Sequence, residues 1–320
     1  MKRDSTIDTL RGLAMLAMII IHATSYFLKD KLTLTIWDNL QWAVPVFLFC
    51  SFYLYYKNTK NFDRKTVAPY LKKRFERLLI PYYQFLLVYF SLAYIFAQSK
   101  LNINNVFANI FLYGGLDLNW LPLLFIYLIF VMPLILIAKN NKLLMSLIFV
   151  LSLFASVFFI FSTPIHYRII MWLPWILMIF FTLFVIKNEN NWKKLFSLAG
   201  ISLLVFIILR YIEIKIGHNL THYGNKYPPT LYHQSFGFFS AIVLLWLSKK
   251  NLFQAFKFDK LLHFLSIYSY SIFFIHNIVI FSFGWLHIKF SNWVFYFISL
   301  LSVSLTIQVV LNKFNKQNEK

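Results

Sequence analysis

Apolar stretches of about twenty residues recur from residue 10 to residue 311, and most of the chain's charges fall in the gaps between them. A helix of that length rises ~1.5 Å per residue and crosses the ~30 Å hydrocarbon core of a bilayer. No water is present there to satisfy backbone N–H and C=O groups, so the segments must bond internally as helices. The fold class this predicts is an all-α polytopic membrane protein. Composition agrees, with 60% hydrophobic and 13% charged residues over 320 positions, about half the charged fraction of a soluble domain.

Ten spans are predicted, over residues 10–28, 36–56, 79–98, 119–138, 143–161, 168–186, 194–212, 231–248, 266–284 and 292–311. Basic residues orient them. With the N-terminus in the cytoplasm, 23 of the 31 Lys and Arg fall on inner segments and 8 on outer ones. That bias predicts a multi-pass cell-membrane protein with both termini cytoplasmic. Lys2 and Arg3 precede the first apolar run as in a signal peptide, but no small-x-small cleavage site follows, so the run is read as a span. Residues 1–320 read as one integral membrane domain. Residues 57–78 alternate basic and apolar positions at helical spacing and are expected on the inner membrane surface. Residues 213–230 contain two glycines and Pro228-Pro229 and are expected to form a structured outer loop.

The same observations exclude several functions. The net charge of +20 is spread between spans and not clustered on a soluble face, which argues for lipid contact and against nucleic acid. Cys50 is the only cysteine, so the chain has neither an internal disulfide nor a thiolate metal cluster. His166, His218, His222, His263 and His287 show no metal-ligand spacing, so no metal is expected. Walker A, H-E-x-x-H and G-x-S-x-G motifs are absent.

Arg11 and His22 lie eleven residues apart in the first span. Eleven residues advance a helix by three turns plus roughly 20°, so both share one face about 16 Å apart. Taken singly, Arg11 reads as a snorkelling anchor and His22 as an interhelical hydrogen-bonding group. An ionisable group deep in a membrane is also a functional candidate, and the shared face points to a common passage. Arg74 and Arg77 sit one turn apart at the inner end of span 3, suited to phosphate or to lipid headgroups. His276 falls about 15 Å into span 9, near the level of His22. Tyr227, Pro228, Pro229 and Tyr232 offer rings and rigid turns that suit a sugar or simply cap a turn. Glu213 is placed to assist a histidine or to pair with Arg210 or Lys215, and Trp120 to line a substrate site or an interface.

These segments come in a recognisable order: Asp8-Thr9-Leu10-Arg11-Gly12, then His22; Ser51-Phe52; Arg74-Phe75-Glu76-Arg77 before Ile80-Pro81-Tyr82; Asn119-Trp120-Leu121-Pro122; and the late His276. Over nearly its whole length the chain resembles the type-3 membrane acyltransferases, whose hallmark is R-x10-H in the first span. The family usually carries Ser-Gly where this chain has Ser51-Phe52. The resemblance implies an acyl-CoA donor, usually acetyl-CoA, a carbohydrate acceptor (surface glycan or lipid-linked precursor) and a bacterial plasma membrane. It implies catalysis by His22 with Arg11, donor phosphates on Arg74, Arg77 and Arg11, and acceptor contacts from His276, Trp120, Tyr227, Tyr232 and Glu213. The rival reading is a transporter or polysaccharide-export component without chemistry of its own.

Overall fold

The computed structural model describes residues 4–59, 64–255 and 258–318. Its helices are α1 (Ser5–Thr24), α2 (Lys31–Asn39), α3 (Ala43–Asn58), α4 (Arg64–Phe96) and α5 (Ile103–Ile110). There follow α6 (Trp120–Ala138), α7 (Lys142–Phe161), α8 (Tyr167–Ile170), α9 (Trp172–Lys187) and α10 (Trp192–Ile216). The chain closes with α11 (Leu231–Lys249), α12 (Leu252–Ala255), α13 (Asp259–Ile267), α14 (Ser269–Trp285) and α15 (Trp293–Asn318). Eight helical segments among the described residues are long and apolar enough to cross a membrane. The other two predicted spans are occupied by α3 and α14, which are shorter, at 16 and 17 residues. α14 continues α13 across an 88° bend.

Local chemistry sets the ends of these helices. Asp4 caps α1 by accepting from the Thr6 and Ile7 N–H groups, and Asp30 caps α2 through the Thr33 N–H. Asn102, Asn141 and Asn191 cap α5, α7 and α10 in the same way. α10 stops at Gly217, whose φ of +69° suits a residue without a Cβ.

α1 begins at Ser5 and α15 runs to Asn318, both beyond the expected spans, and three further differences reshape elements. Residues 36–56 are not one span, because α2 ends at Asn39 and a 3₁₀ turn, Leu40–Trp42, precedes α3. Residues 64–78, expected as a separate surface segment, are the first half of the 33-residue α4. At ~50 Å that helix exceeds the hydrocarbon core, so its basic half projects beyond it while Pro81 is carried inside the helix. The outer loop begins at Gly217 and not at residue 213, since α10 runs one turn further.

α1 and α11 lie at the centre of the bundle, each 61% buried over its span, while α10 and α15 are 22% buried and face outward. Contacts sort into two ends. At the basic end Lys57 pairs with Asp4 at 3.7 Å and Glu189 at 3.1 Å. There too Ser248 donates to the Thr6 carbonyl and Lys249 to the Glu189 carbonyl. At the far end the His222 N–H donates to Asp38 Oδ1 at 2.7 Å, and Lys226 Nζ to Gln41 Oε1 at 3.1 Å. Tyr82 and Asn119 join α4 to the start of α6 by a 3.0 Å hydrogen bond, with Asn119 also donating to Asn109 Oδ1 at 2.7 Å.

Asp8 and Gly12 seat α1 against α13. Ser266 Oγ donates to Asp8 Oδ1 at 2.9 Å, and a Cβ on Gly12 would overlap the Leu262 backbone carbonyl. Gly12→Ala should therefore lower the melting temperature of the purified protein by several degrees, corresponding to overpacking of about 1–3 kcal/mol. Gly200→Ala, a position with nothing within 4 Å of the added carbon, should leave it unchanged or slightly raised. Equal melting curves for the two variants would contradict the close approach.

Candidate active site

Two histidines from helices far apart in sequence meet at the centre of the bundle. His22 Nδ1 lies 2.7 Å from His276 Nε2, with the rings stacked at 5.0 Å between centroids. His276 Nδ1 lies 2.9 Å from the Ile272 carbonyl. A carbonyl only accepts, so His276 Nδ1 carries the hydrogen and its Nε2 is a lone pair in the neutral ring. His22 Nδ1 must then donate to it, which leaves His22 Nε2 as a bare acceptor. The hydrogen-bond pattern thus assigns both tautomers. Asn277 Nδ2, 3.4 Å from the same Nε2, is a second donor consistent with that choice. His276 is fully buried, whereas His22 borders open space.

That space is a cavity of about 570 Å³ at the far end of the bundle. Its wall includes His22, Trp37, Asp117, Trp120, Tyr227 and Lys226. Trp120 and Tyr227 meet edge to face at 5.0 Å, and Trp37 packs on Tyr223 at 5.0 Å. Aromatic faces with a few polar groups are the make-up of a small-molecule site.

A second cavity, of about 270 Å³, lies toward the basic end and brings Arg11, Arg74 and Arg77 together. Arg74 places its guanidinium over the Tyr70 and Tyr55 rings at 5.5 and 5.9 Å, a contact that its planar cation favours. Arg11 Nε is buried with no hydrogen-bond partner among the described residues. Three guanidinium groups around one hollow are suited to a polyphosphate.

The two cavities share four walls. Val44, Leu121 and Phe273 border the first where Phe47, Phe125 and Tyr270 border the second, on α3, α6 and α14 respectively. Each pair is about one helical turn apart. On α1 the first cavity is met by Met18, Ile21 and His22 and the second by Arg11. Along the passage expected from the sequence, two hollows are therefore stacked on α1, their linings about one turn apart on α3, α6 and α14 and about two turns apart on α1. Phe47 and Phe125 meet edge to face at 6.3 Å in the layer where the linings adjoin.

Three expected acceptor contacts line neither cavity: His276, fully buried against His22, Tyr232 and Glu213. Tyr232, in the first turn of α11, is fully buried; its hydroxyl accepts from Arg210 Nη1 and donates to the Leu220 carbonyl, both at 3.0 Å. Glu213 is also fully buried, accepts from Asn225 Nδ2 at 3.1 Å and faces His218 at 3.7 Å. Both face the underside of the loop that follows Gly217 and hold it. Arg210, expected as a partner of Glu213, is spent on Tyr232. Lys226 was counted in the sequence only as an outer charge, yet it is buried in the wall beside His22. Its neighbours Tyr223 and Tyr227 were the available signal. Among the described residues no group of three or more His, Cys, Asp or Glu is placed to hold a metal ion.

A family model described as an acyltransferase domain matches residues 4–313 of the chain. No curated protein and no solved structure matches it.

Burial pushes the Lys226 ammonium down to about 7, with the Asp117 carboxylate pulling the other way; an ordinary lysine titrates near ~10.4. Below pH 7 the amine is charged in the folded and unfolded chain alike, and folding bears the whole burial penalty. The penalty shrinks as pH rises from 7 toward 10, because the unfolded chain then holds the extra proton. Relative to wild type, Lys226→Met should raise the melting temperature most at pH 6 and progressively less at pH 9. A difference that grows with pH would contradict this burial.

Proposed function

We propose a reaction from the premise that this chain belongs to the type-3 acyltransferase family: it moves an acyl group, in the simplest case acetyl, from cytoplasmic acyl-CoA to a hydroxyl of a carbohydrate outside. Family membership sets aside the transporter alternative and makes the chain an acyltransferase. Donor and acceptor are read from the chemistry of the two cavities. The observation that carries the reading is their stacking along α1, with guanidinium groups around one and a bare imidazole nitrogen in the other.

The positive-inside bias puts the basic end in the cytoplasm. Arg11, Arg74 and Arg77 then face the side where acyl-CoA is found, and their forks suit its phosphates. The neutral arm of the donor extends along α1, parting the Phe47–Phe125 layer, and carries the thioester toward His22. An acceptor hydroxyl enters from the far end and lies on the aromatic wall.

His22 Nε2 takes the hydroxyl proton as the oxygen attacks the thioester carbon. The tetrahedral intermediate collapses with cleavage of the C–S bond, and the imidazolium returns the proton to the departing thiolate. His276 accepts the His22 Nδ1–H throughout, which fixes the ring orientation and favours the imidazolium as it forms. The Ile272 carbonyl holds His276 in turn. The order of groups is that of a base steadied by a second group, with an imidazole where hydrolases use a carboxylate.

The test is turnover of acetyl-CoA by the purified protein in nanodiscs, with and without oligosaccharide. His22→Ala should lose about 10²–10⁴-fold in transfer while keeping its melting temperature. His276→Gln should lose less and shift the pH profile, as expected of a positioning residue. Arg74→Ala and Arg77→Ala should raise KM for acetyl-CoA by roughly tenfold or more, the loss of one charge-assisted hydrogen bond, with a smaller effect on kcat. Wild-type protein that neither binds nor turns over acetyl-CoA would overturn the assignment of donor.

A further inference from the structure

The reaction above makes no use of Lys226, although it shares a cavity with the base. Its side chain is 7% exposed. Nζ donates to Gln41 Oε1 at 3.1 Å and sits 5.4, 5.4 and 4.9 Å from the ring centroids of Trp120, Tyr223 and Tyr227. Gln41 is itself buried and held by the Trp37 carbonyl at 3.1 Å, so the amine is anchored at a defined point of the wall.

An ammonium has three N–H donors, and Gln41 uses one. Among the described residues no carboxylate is within ion-pair distance of Nζ. Asp117 borders the same cavity but accepts from the Tyr223 hydroxyl at 3.3 Å. The three rings offset part of the burial of a cation through their π faces. They supply no counter-charge, and an unpaired buried cation is strongly disfavoured. What the cavity lacks at this point is an anion, and its open volume is where one would come from.

We infer that the cavity takes an acidic sugar, whose carboxylate or phosphate pairs with Lys226 Nζ while its ring lies on the aromatic wall and one hydroxyl reaches His22. The reach of the hydroxyl rests on the acyl-transfer reading, whereas the anion subsite does not. Lys226 then determines specificity: a neutral sugar leaves the amine unpaired and binds less well. Asp117 limits the effect, since its carboxylate opposes an anion entering the same space.

The experiment uses the full chain in nanodiscs and three probes: a glucuronate-bearing tetrasaccharide, the same oligosaccharide with its carboxyl reduced to an alcohol, and a sugar phosphate of similar size. Binding is read from tryptophan fluorescence without CoA, and transfer from acetyl-CoA is read separately. Wild-type protein should bind at least one anionic probe about tenfold or more tighter than the reduced one. Lys226→Met should abolish that preference and Lys226→Arg should retain it, with monodisperse elution and melting curves checking that each variant is folded. Asp117→Asn should increase the preference, and it carries the test should Lys226→Met fail to fold. The larger of the two anionic preferences identifies carboxylate or phosphate. Equal binding of acidic and reduced probes by wild type, or a preference kept in a folded Lys226→Met, overturns the inference. An anionic preference in binding without any acyl transfer supports this subsite and counts against the proposed reaction. Transfer that ignores acceptor charge does the reverse.

Discussion

The 2.7 Å contact between His22 and His276 is the constraint that organises the rest of the structure. Two polar rings at the heart of a helical bundle are tolerated only when their nitrogens are satisfied or open to a cavity. Ile272 fixes one hydrogen, that hydrogen fixes the direction of the next, and the last nitrogen is left facing the void. To bring the rings together, α14 must pack on α1, and the break at Tyr268 between α13 and α14 permits it. α13 turns through 88° to cross the other end of α1, where Gly12 and Asp8 receive it. The local features of α1 are therefore one device: Asp8 and Gly12 seat the helix, Arg11 opens on one hollow and His22 on the other.

This reading accounts for segments whose role is easily mistaken for chemistry. Ile80-Pro81-Tyr82 and Asn119-Trp120 meet through the Tyr82–Asn119 hydrogen bond. Asn119 anchors the chain between α5 and α6, and Trp120 can then form the cavity wall. Ser51-Phe52 divides its labour: Ser51 borders the arginine cavity, while Phe52 is fully buried and fills the volume a glycine would leave open. Glu213, Asn225 and His218 tie down the loop that carries Lys226 and Tyr227. Their contribution to the site is positional.

Much of this was legible beforehand, and for definite reasons. Spans are legible because lipid enforces both length and apolarity. The Arg11–His22 relation is legible because a helix converts spacing into direction, and in the structure each residue borders one of the two cavities. The meeting of His22 with His276 was legible only as a matching depth, since sequence separation carries no information about which helices adjoin. That Tyr232 and Glu213 turn beneath the loop was not legible, because an outer position near a loop does not reveal which way a side chain turns. Lys226 was missed because a lysine between spans is ordinarily a solvated anchor. Only the folding of its loop back onto Gln41 and Trp120 buries it.

The layer between the two cavities has a physical reason of its own. A continuous water-filled passage lined by arginines at one end and a histidine at the other would conduct anions and protons down the membrane potential. The apolar side chains of Val44, Phe47, Leu121 and Phe125 lie where the two linings meet, and a bare ion cannot cross even a short hydrocarbon gap without losing its hydration. A neutral, slender chain is not so excluded: it exchanges one set of apolar contacts for another as the rings part. A partition of aromatic and aliphatic side chains is thus selective by polarity. For the proposed substrates it would hold back the charged head of the donor in the basic hollow and the hydrated acceptor in the other. The uncharged arm between the proposed donor's head and its thioester would be the part suited to the partition itself. Under the proposed reaction, the charged ends remain on their own sides and only an acyl group changes sides.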